Sequence, residues 1–455
     1  MTAPNQVHLL VITHGLWGNP AHVASVAKMI RENHAELAAA QGIDLEVVVP
    51  ETNRDLFTYD GIDWCAERVV KETLARKEHI EADGSRRVTR LSMFGYSLGG
   101  LMARYAVGIL QAQGFFQTVE PVNFCTFATP HIGILGDGSF WRRFLEFMGT
   151  KLLSRTGKQF FAQDKWSPDG KPLLAVLADK DRLFHKALSS FKHIHIYANG
   201  VQDVTVPFYT GFITTNDPFL NWKERGLQVT FEEKYAPILK SYTLPDTPPP
   251  PPLPKTWFEK LSPPRLPPFI KGRFSRGFVY IFFPVLVPLV ISMVIVRFAL
   301  ATHSSQRRIR LMEKDTVGDT RLVHMLRELE QEVGEAVADM VEQQGDRDPE
   351  ALASVLESKG QRSRSDVKVS VHHAETLEPL VPSTPERRRG EAIFTPLHRR
   401  MVADLNSIPH MKKHIAFIPE FRNSHATIIV RDPDQFDFHE IGRGVIRHWI
   451  DGFEF

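Results

Sequence analysis

The sequence predicts an α/β fold: a mostly parallel sheet covered by helices on both faces. Three observations lead there. As far as Tyr197, short apolar runs alternate with segments of helical period. Several runs are rich in Val, Ile and Leu without polar alternation, as strands buried on both faces are. Strands separated by helices need crossover connections, and crossovers make a sheet parallel.

The elements are taken in chain order. Val7–Thr13 is an apolar run that stops at His14-Gly15. Ala24–Gln41 carries Val26, Met29, Ile30 and Leu37 at helical spacing, and Leu45–Val49 is a buried-type strand closed by Pro50. Ile62–Lys77 turns Trp64, Val69, Val70 and Leu74 to one side. Val88–Phe94, Asn123–Ala128 and His193–Tyr197 read as strands, and Leu98–Gln111 as a helix. A long insertion, residues 133–192, interrupts the pattern. Within it Phe140–Leu153 is amphipathic, with Trp141, Phe144, Leu145, Met148 and Leu152 sharing a face. The simpler expectation is a helix packed on the core; the alternative is a lid over a lipid-binding cleft.

The rest of the chain divides by composition. Residues 1–244 form the core with its insertion, and 245–277 a linker, since Pro245–Pro268 holds 11 of the 31 prolines. Phe278–Val296 contains no charged residue, within an apolar segment taken as 278–300. Residues 301–343 read as helical, and 344–390, charged and poor in aromatics, as a disordered linker. Residues 391–455 complete the core, with strands at Ile415–Ile418 and Ala426–Val430 and an amphipathic helix at Glu440–Ile450.

Bulk properties narrow the function. A net charge of +2 gives no drive toward nucleic acid. Two cysteines, Cys65 and Cys125, cannot build a disulfide framework, so a reducing compartment is expected. Met1–Asn5 lacks the charged start of a signal peptide, and Val7–Ile12 directly after it is a strand.

Chemistry concentrates at Gly95-Tyr96-Ser97-Leu98-Gly99, directly after a strand and opening a helix. A nucleophilic serine on so sharp a turn needs small neighbours, and the helix aims its first N–H groups at the reacting carbonyl. The end of the first strand, His14-Gly15-Leu16-Trp17-Gly18, is placed to supply a second N–H to an oxyanion. Leu16 and Leu98 are the expected donors; His14 is expected to shape the loop.

Three segments together carry a family resemblance: His14-Gly15-Leu16-Trp17-Gly18-Asn19, Phe94-Gly95-Tyr96-Ser97-Leu98-Gly99-Gly100 and Ala128-Thr129-Pro130-His131-Ile132-Gly133. They resemble the putative serine esterase family of lipase-like domains, and among its members the fungal lipid-droplet phospholipases. Tyr96 stands where that family usually has His. The resemblance implies an α/β-hydrolase fold, a Ser–Asp–His triad and activity on glycerophospholipids or acylglycerols. It requires neither a metal nor an organic cofactor. Asp203, in Asp203-Val204-Thr205-Val206-Pro207 after a late strand, matches the family's triad carboxylate, with Asp179 or Asp181 as the fallback.

The chain order of this fold is serine, acid, histidine. Of the 19 histidines, the ten after Asp203 all lie at or beyond His303. His425, between Arg422-Asn423-Ser424 and an apolar run, fits best; His410, His414 and His439 are rivals, and His131 precedes the acid. That order constrains topology. Nineteen helical residues reach roughly 28 Å, enough to approach the hydrocarbon thickness. A single crossing at Phe278–Val296 would separate Ser97 from every candidate base. Pro284 and Pro288 sit mid-run, and basic residues flank both ends, Lys271, Arg273 and Arg276 before it and Arg297, Arg307, Arg308 and Arg310 after it. The expectation is a membrane hairpin in one leaflet, holding the protein to the cytosolic face of a membrane or lipid droplet, with lipid droplet or endoplasmic reticulum as its place.

Overall fold

The structure, a computed structural model, describes residues 4–245, 276–314, 390–421 and 423–455. Its centre is a six-stranded, wholly parallel sheet of order β2-β1-β3-β4-β5-β8. The strands are β1 (Asn5–Thr13), β2 (Ile43–Val48), β3 (Arg86–Tyr96), β4 (Glu120–Phe127), β5 (His193–Asn199) and β8 (Met411–Ala416). A two-stranded antiparallel ribbon, β6 (Gln228–Phe231) and β7 (Leu239–Thr243), forms a second sheet that meets the end of β8 through the Ile238–Ala416 bridge.

Helices cover both faces. On one lie α2 (Ile62–Glu81) and α3 (Leu98–Ala112), whose apolar sides close a core with Val7, Leu9, Val11, Leu91 and Met93. On the other lie α1 (Ala24–Ala40) and a C-terminal helix (Arg443–Asp451) that sends Val445, Ile446, Trp449 and Ile450 against Leu10, Ile12, Phe94 and Phe127. Successive β1 residues alternate between the two cores, as the two-residue strand period demands. The insertion contributes α4 (Phe140–Leu152) and the short α5 (Ser154–Phe160). This is the α/β-hydrolase fold, and the C-terminal segment supplies its sixth strand by pairing Ile194–Asn199 with Met411–Ala416.

Three expectations are corrected. First, Phe278–Val296 forms no hairpin: Arg276–Lys314 is one helix, α6, of 39 residues. Two prolines remove two N–H donors but cannot reverse a chain, and between Pro284 and Arg297 there is no Gly, Asn or Asp for a turn. Second, Ala426–Val430 is not a strand. Ser424–Thr427 is a single helical turn, and Val430, at φ 52°, closes the following turn. Its apolar run is buried among the second core's side chains, a setting that periodicity alone cannot tell from a strand. Third, the amphipathic helix α4 does not pack its apolar face on the core. Of that face Phe144 and Leu145 are exposed and Met148 and Leu152 only half-buried, and Phe140 and Phe147 beside it are exposed as well. The linker at 246–275 and the segment at 315–389 lie outside the described residues.

The second half of α6 is fastened to the body. Asp60, fully buried, accepts hydrogen bonds from Ser305 Oγ at 2.6 Å, Arg308 Nη2 at 2.8 Å and Arg68 Nη2 at 2.6 Å. Thr302 Oγ1 donates to the Leu152 carbonyl at 2.6 Å, and Phe298 stacks on Trp17 at 5.5 Å. Breaking a buried ion pair from one side strands the remaining charges, a cost of about 3–5 kcal/mol. Asp60→Ala is therefore expected to destabilise the chain by about that much in denaturant titration. A change below about 0.5 kcal/mol would mean that the contact is not maintained in solution.

Candidate active site

Ser97 sits where β3 turns into α3, at the carboxyl ends of the central strands. Its backbone takes φ 56° and ψ −125°, a strained left-handed conformation for a non-glycine residue. The turn is tight enough to dictate its neighbours. A Cβ on Gly95 would fall 2.3 Å from Gly100 Cα, and one on Gly99 would fall 2.4 Å from the Thr13 carbonyl oxygen. The β1 loop presses in from the side: a Cβ on Gly15 would stand 2.8 Å from Ser97 Cβ. Neither Leu16 nor Leu98, the two expected oxyanion donors, gives its main-chain N–H to a hydrogen bond among the described residues. His14 shapes this loop, with Nδ1 3.1 Å from the Gly15 carbonyl oxygen.

Asp203 follows β5 and His425 follows β8, so pairing of those two strands sets their loops side by side. Ser424 Oγ donates to the Val201 carbonyl at 2.8 Å, and Ser424 N–H to the Gln202 carbonyl at 3.3 Å. His425 Nδ1 then meets Asp203 Oδ2 at 2.9 Å, and His425 Nε2 meets Ser97 Oγ at 3.0 Å. The three expected residues thus form one hydrogen-bonded chain. Of the other candidates, His410 bonds the Phe191 carbonyl, His414 stacks on His195, and His439 turns to Asp432. Asp179 pairs with Arg182, and buried His131 bonds Thr126 Oγ1.

Charge in the site is set by competing effects on Asp203. Burial works to raise its carboxyl, but the His425 charge and hydrogen bond, the Val206 N–H and the Asn199 amide outweigh it. The group is held below the ordinary carboxylate range, so it remains an anion able to fix the tautomer of His425 and to stabilise its protonated form. Ser97 is 6 % and His425 8 % exposed, which keeps the relay largely shielded from water.

Two supporting residues were not foreseen. Tyr96 Oη donates to the His425 carbonyl at 3.0 Å while its ring lies 5.0 Å from the imidazole, tying the turn before the serine to the segment bearing the histidine. Asn199 Nδ2 donates to Asp203 Oδ2 at 2.8 Å. Tyr96 was visible as the residue inside the motif that departs from the usual His, although its contact could not be.

A strained serine on a strand–helix turn, with a histidine and a buried carboxylate in line, stands at the strand ends of an α/β-hydrolase fold. Residues 3–217 match the family described as Putative serine esterase (DUF676). The chain is 31% identical over 211 residues to "Putative lipase C4A8.10" of Schizosaccharomyces pombe, a match over 45% of this chain and 26% of that protein. It is 29% identical over 221 residues to "Putative lipase ROG1" of Saccharomyces cerevisiae, over 48% and 30%. The matched region thus spans less than a third of either relative. A solved putative cell surface hydrolase from Lactobacillus plantarum is similar at TM-score 0.26 and 14% identity, over 46% of this chain and 75% of that one. The fold assignment rests on strand order, not on that likeness.

Two outcomes test the geometry. Tyr96→Phe removes one hydrogen bond to the His425 main chain, and is expected to lower kcat for a soluble ester with KM little changed; an unchanged kcat would remove Tyr96 from the positioning of His425. The pH dependence of stability tests Asp203. Its folded carboxyl is depressed, so the stability it contributes is present above about pH 4, the unfolded value, and is lost as pH falls through the folded one. The stability gap between the native chain and Asp203→Asn, followed by urea titration, should be full near neutrality and shrink on acidification. A gap independent of pH would contradict the depressed carboxyl.

Proposed function

We propose that the chain is a serine carboxylic-ester hydrolase of the lipase or phospholipase type, working on glycerophospholipids or acylglycerols at a membrane or lipid-droplet surface. The observation that carries the chemistry is the unbroken relay from Ser97 Oγ through His425 to Asp203. In this reading His425 Nε2 takes the proton of Ser97 Oγ as that oxygen attacks the ester carbonyl. The Leu16 and Leu98 N–H groups receive the negative oxygen of the tetrahedral intermediate. Its collapse breaks the ester C–O bond, and His425 returns the proton to the departing alcohol. Water, activated by the same histidine, then frees the fatty acid and restores Ser97.

The lipid side of the reading rests on exposed apolar surface. Nine large apolar side chains between Leu286 and Leu300 are exposed, and α4, packed against α6, adds Phe140, Phe144, Leu145 and Phe147. Burying a side chain of this size is worth roughly 1.5–3 kcal/mol. The patch therefore represents a free energy as large as a whole folding margin of about 5–15 kcal/mol. A surface of that size calls for an apolar phase. By length and composition Leu286–Glu313 is a candidate membrane span. Its second half is held by the body, however, which leaves the apolar half to meet lipid, and Trp17 stacked on Phe298 suits the water–lipid boundary. Buried, unbridged Cys65 and Cys125 agree with a site facing a reducing compartment, such as the cytosolic side of the endoplasmic reticulum or a lipid droplet.

Labelling by a fluorophosphonate probe in lipid-supplemented protein tests the chemistry. Labelling is expected in the native chain and is expected to vanish in Ser97→Ala, with kcat for a soluble ester falling on the order of 10⁴-fold or more. Labelling that survives in Ser97→Ala would place the nucleophile elsewhere. Product analysis with a lysolipid present separates hydrolysis from acyl transfer: free fatty acid supports water as the acceptor, and acylated lysolipid supports a transferase with the same relay.

A further inference from the structure

A cavity of about 610 Å³ opens where α4 and α5 meet the docked half of α6. Its cations are Lys151, Lys158 and Lys165 from the body and Arg310 from α6. All four are exposed, and none forms an ion pair among the described residues. Arg155, also at the wall, is already paired with buried Asp63. A smaller hollow of about 290 Å³ shares Gln306 and Arg310 with the cavity and adds His303 and Arg307. Against these cations stand two acids, Glu313 and Asp164. Asp164 Oδ2 accepts the Leu173 N–H at 2.9 Å, while Oδ1 finds no partner among the described residues. Burial lifts this carboxyl to about 6, so it is readily neutralised when an anion enters.

We propose that this cavity is a binding site for a phosphate-bearing lipid headgroup, specifically one whose phosphate stands on a headgroup sugar beyond the bilayer's own phosphodiester plane. The proposal rests on the reading that the apolar half of α6 enters the membrane. Its position along α6 selects the headgroup. Leu300 is the last exposed apolar residue before the docked half. At 1.5 Å per residue, Gln306 and Arg310 lie about 9 and 15 Å further along the axis. The polar layer outside the hydrocarbon is only about 5–8 Å thick on each side. A simple diester phosphate therefore stops short of the cavity, whereas a phosphomonoester on a sugar reaches its mouth. Lysines at several angles suit such a point charge, and the volume is that of a sugar-sized ligand rather than of a lone ion.

The test uses the full chain in nanodiscs of phosphatidylcholine alone, with added phosphatidylserine, or with added phosphatidylinositol 4-phosphate. The readout is the rate at which each lysine is acylated by an amine reagent, followed by mass spectrometry, with exposed Lys28 as the internal reference. Lys151, Lys158 and Lys165 are expected to be protected several-fold in the phosphoinositide discs only. The double variant Lys158→Gln, Arg310→Gln should remove that protection from Lys165 and weaken phosphoinositide binding on the order of tenfold. Equal acylation in all discs would overturn the headgroup site and leave the membrane reading standing. Protection in phosphatidylcholine discs by soluble inositol phosphate, matched in concentration, would overturn the lipid source in favour of a free phosphate ligand. Failure of the chain to enter phosphatidylcholine discs would overturn the membrane reading itself, before any lysine is scored.

Discussion

Parallel pairing of β8 with β5 is the interaction on which the rest depends. Ser97 and Asp203 belong to a sheet that the first half of the chain can assemble, but the histidine lies 328 positions beyond the serine and 222 beyond the acid. The six paired positions from Ile194–Met411 to Asn199–Ala416 bring that remote segment to the sheet edge and point it toward the right end. Closing a loop of that size costs on the order of 5 kcal/mol. The ladder, the burial of Ile415 and Ala416, and the C-terminal helix with Trp449 and Ile450 in the second core offset it. The distances at the site are thus a by-product of strand register: a slip of one residue along β8 would turn the following segment to the wrong face.

Much of this was legible in the sequence, and the reasons are particular. Strand β1 announced itself because both its faces are buried, so the run from Leu9 to Ile12 is unbroken. Ser97 was legible because a nucleophile turn constrains several glycines at once, and Gly95, Gly99 and Gly100 clash with backbone or Thr129 if given a Cβ. His425 came within reach because chain order left only late histidines, an argument that needs no geometry.

What stayed hidden was hidden for physical reasons. The run Thr427–Val430 carries strand-forming residues but is buried singly, beneath a turn, and only tertiary contacts decide between the two. The face of α4 looked like core because amphipathicity records that a helix has an apolar side, not what covers it. Proline at 284 and 288 suggested a reversal, yet a reversal also needs a residue that can turn, and none is present in the run after them. Asp60 gave no sign at all: Arg68 lies near it in the chain, but Ser305 and Arg308 lie 245 and 248 residues away.

The order in which the chain is made has its own consequence. The ribosome releases α6 well before it releases β8 and His425. The apolar helix is therefore complete while Ser97 still lacks its histidine partner. A chain cut short anywhere between the two carries the serine turn without the hydrogen-bonded relay that runs through His425.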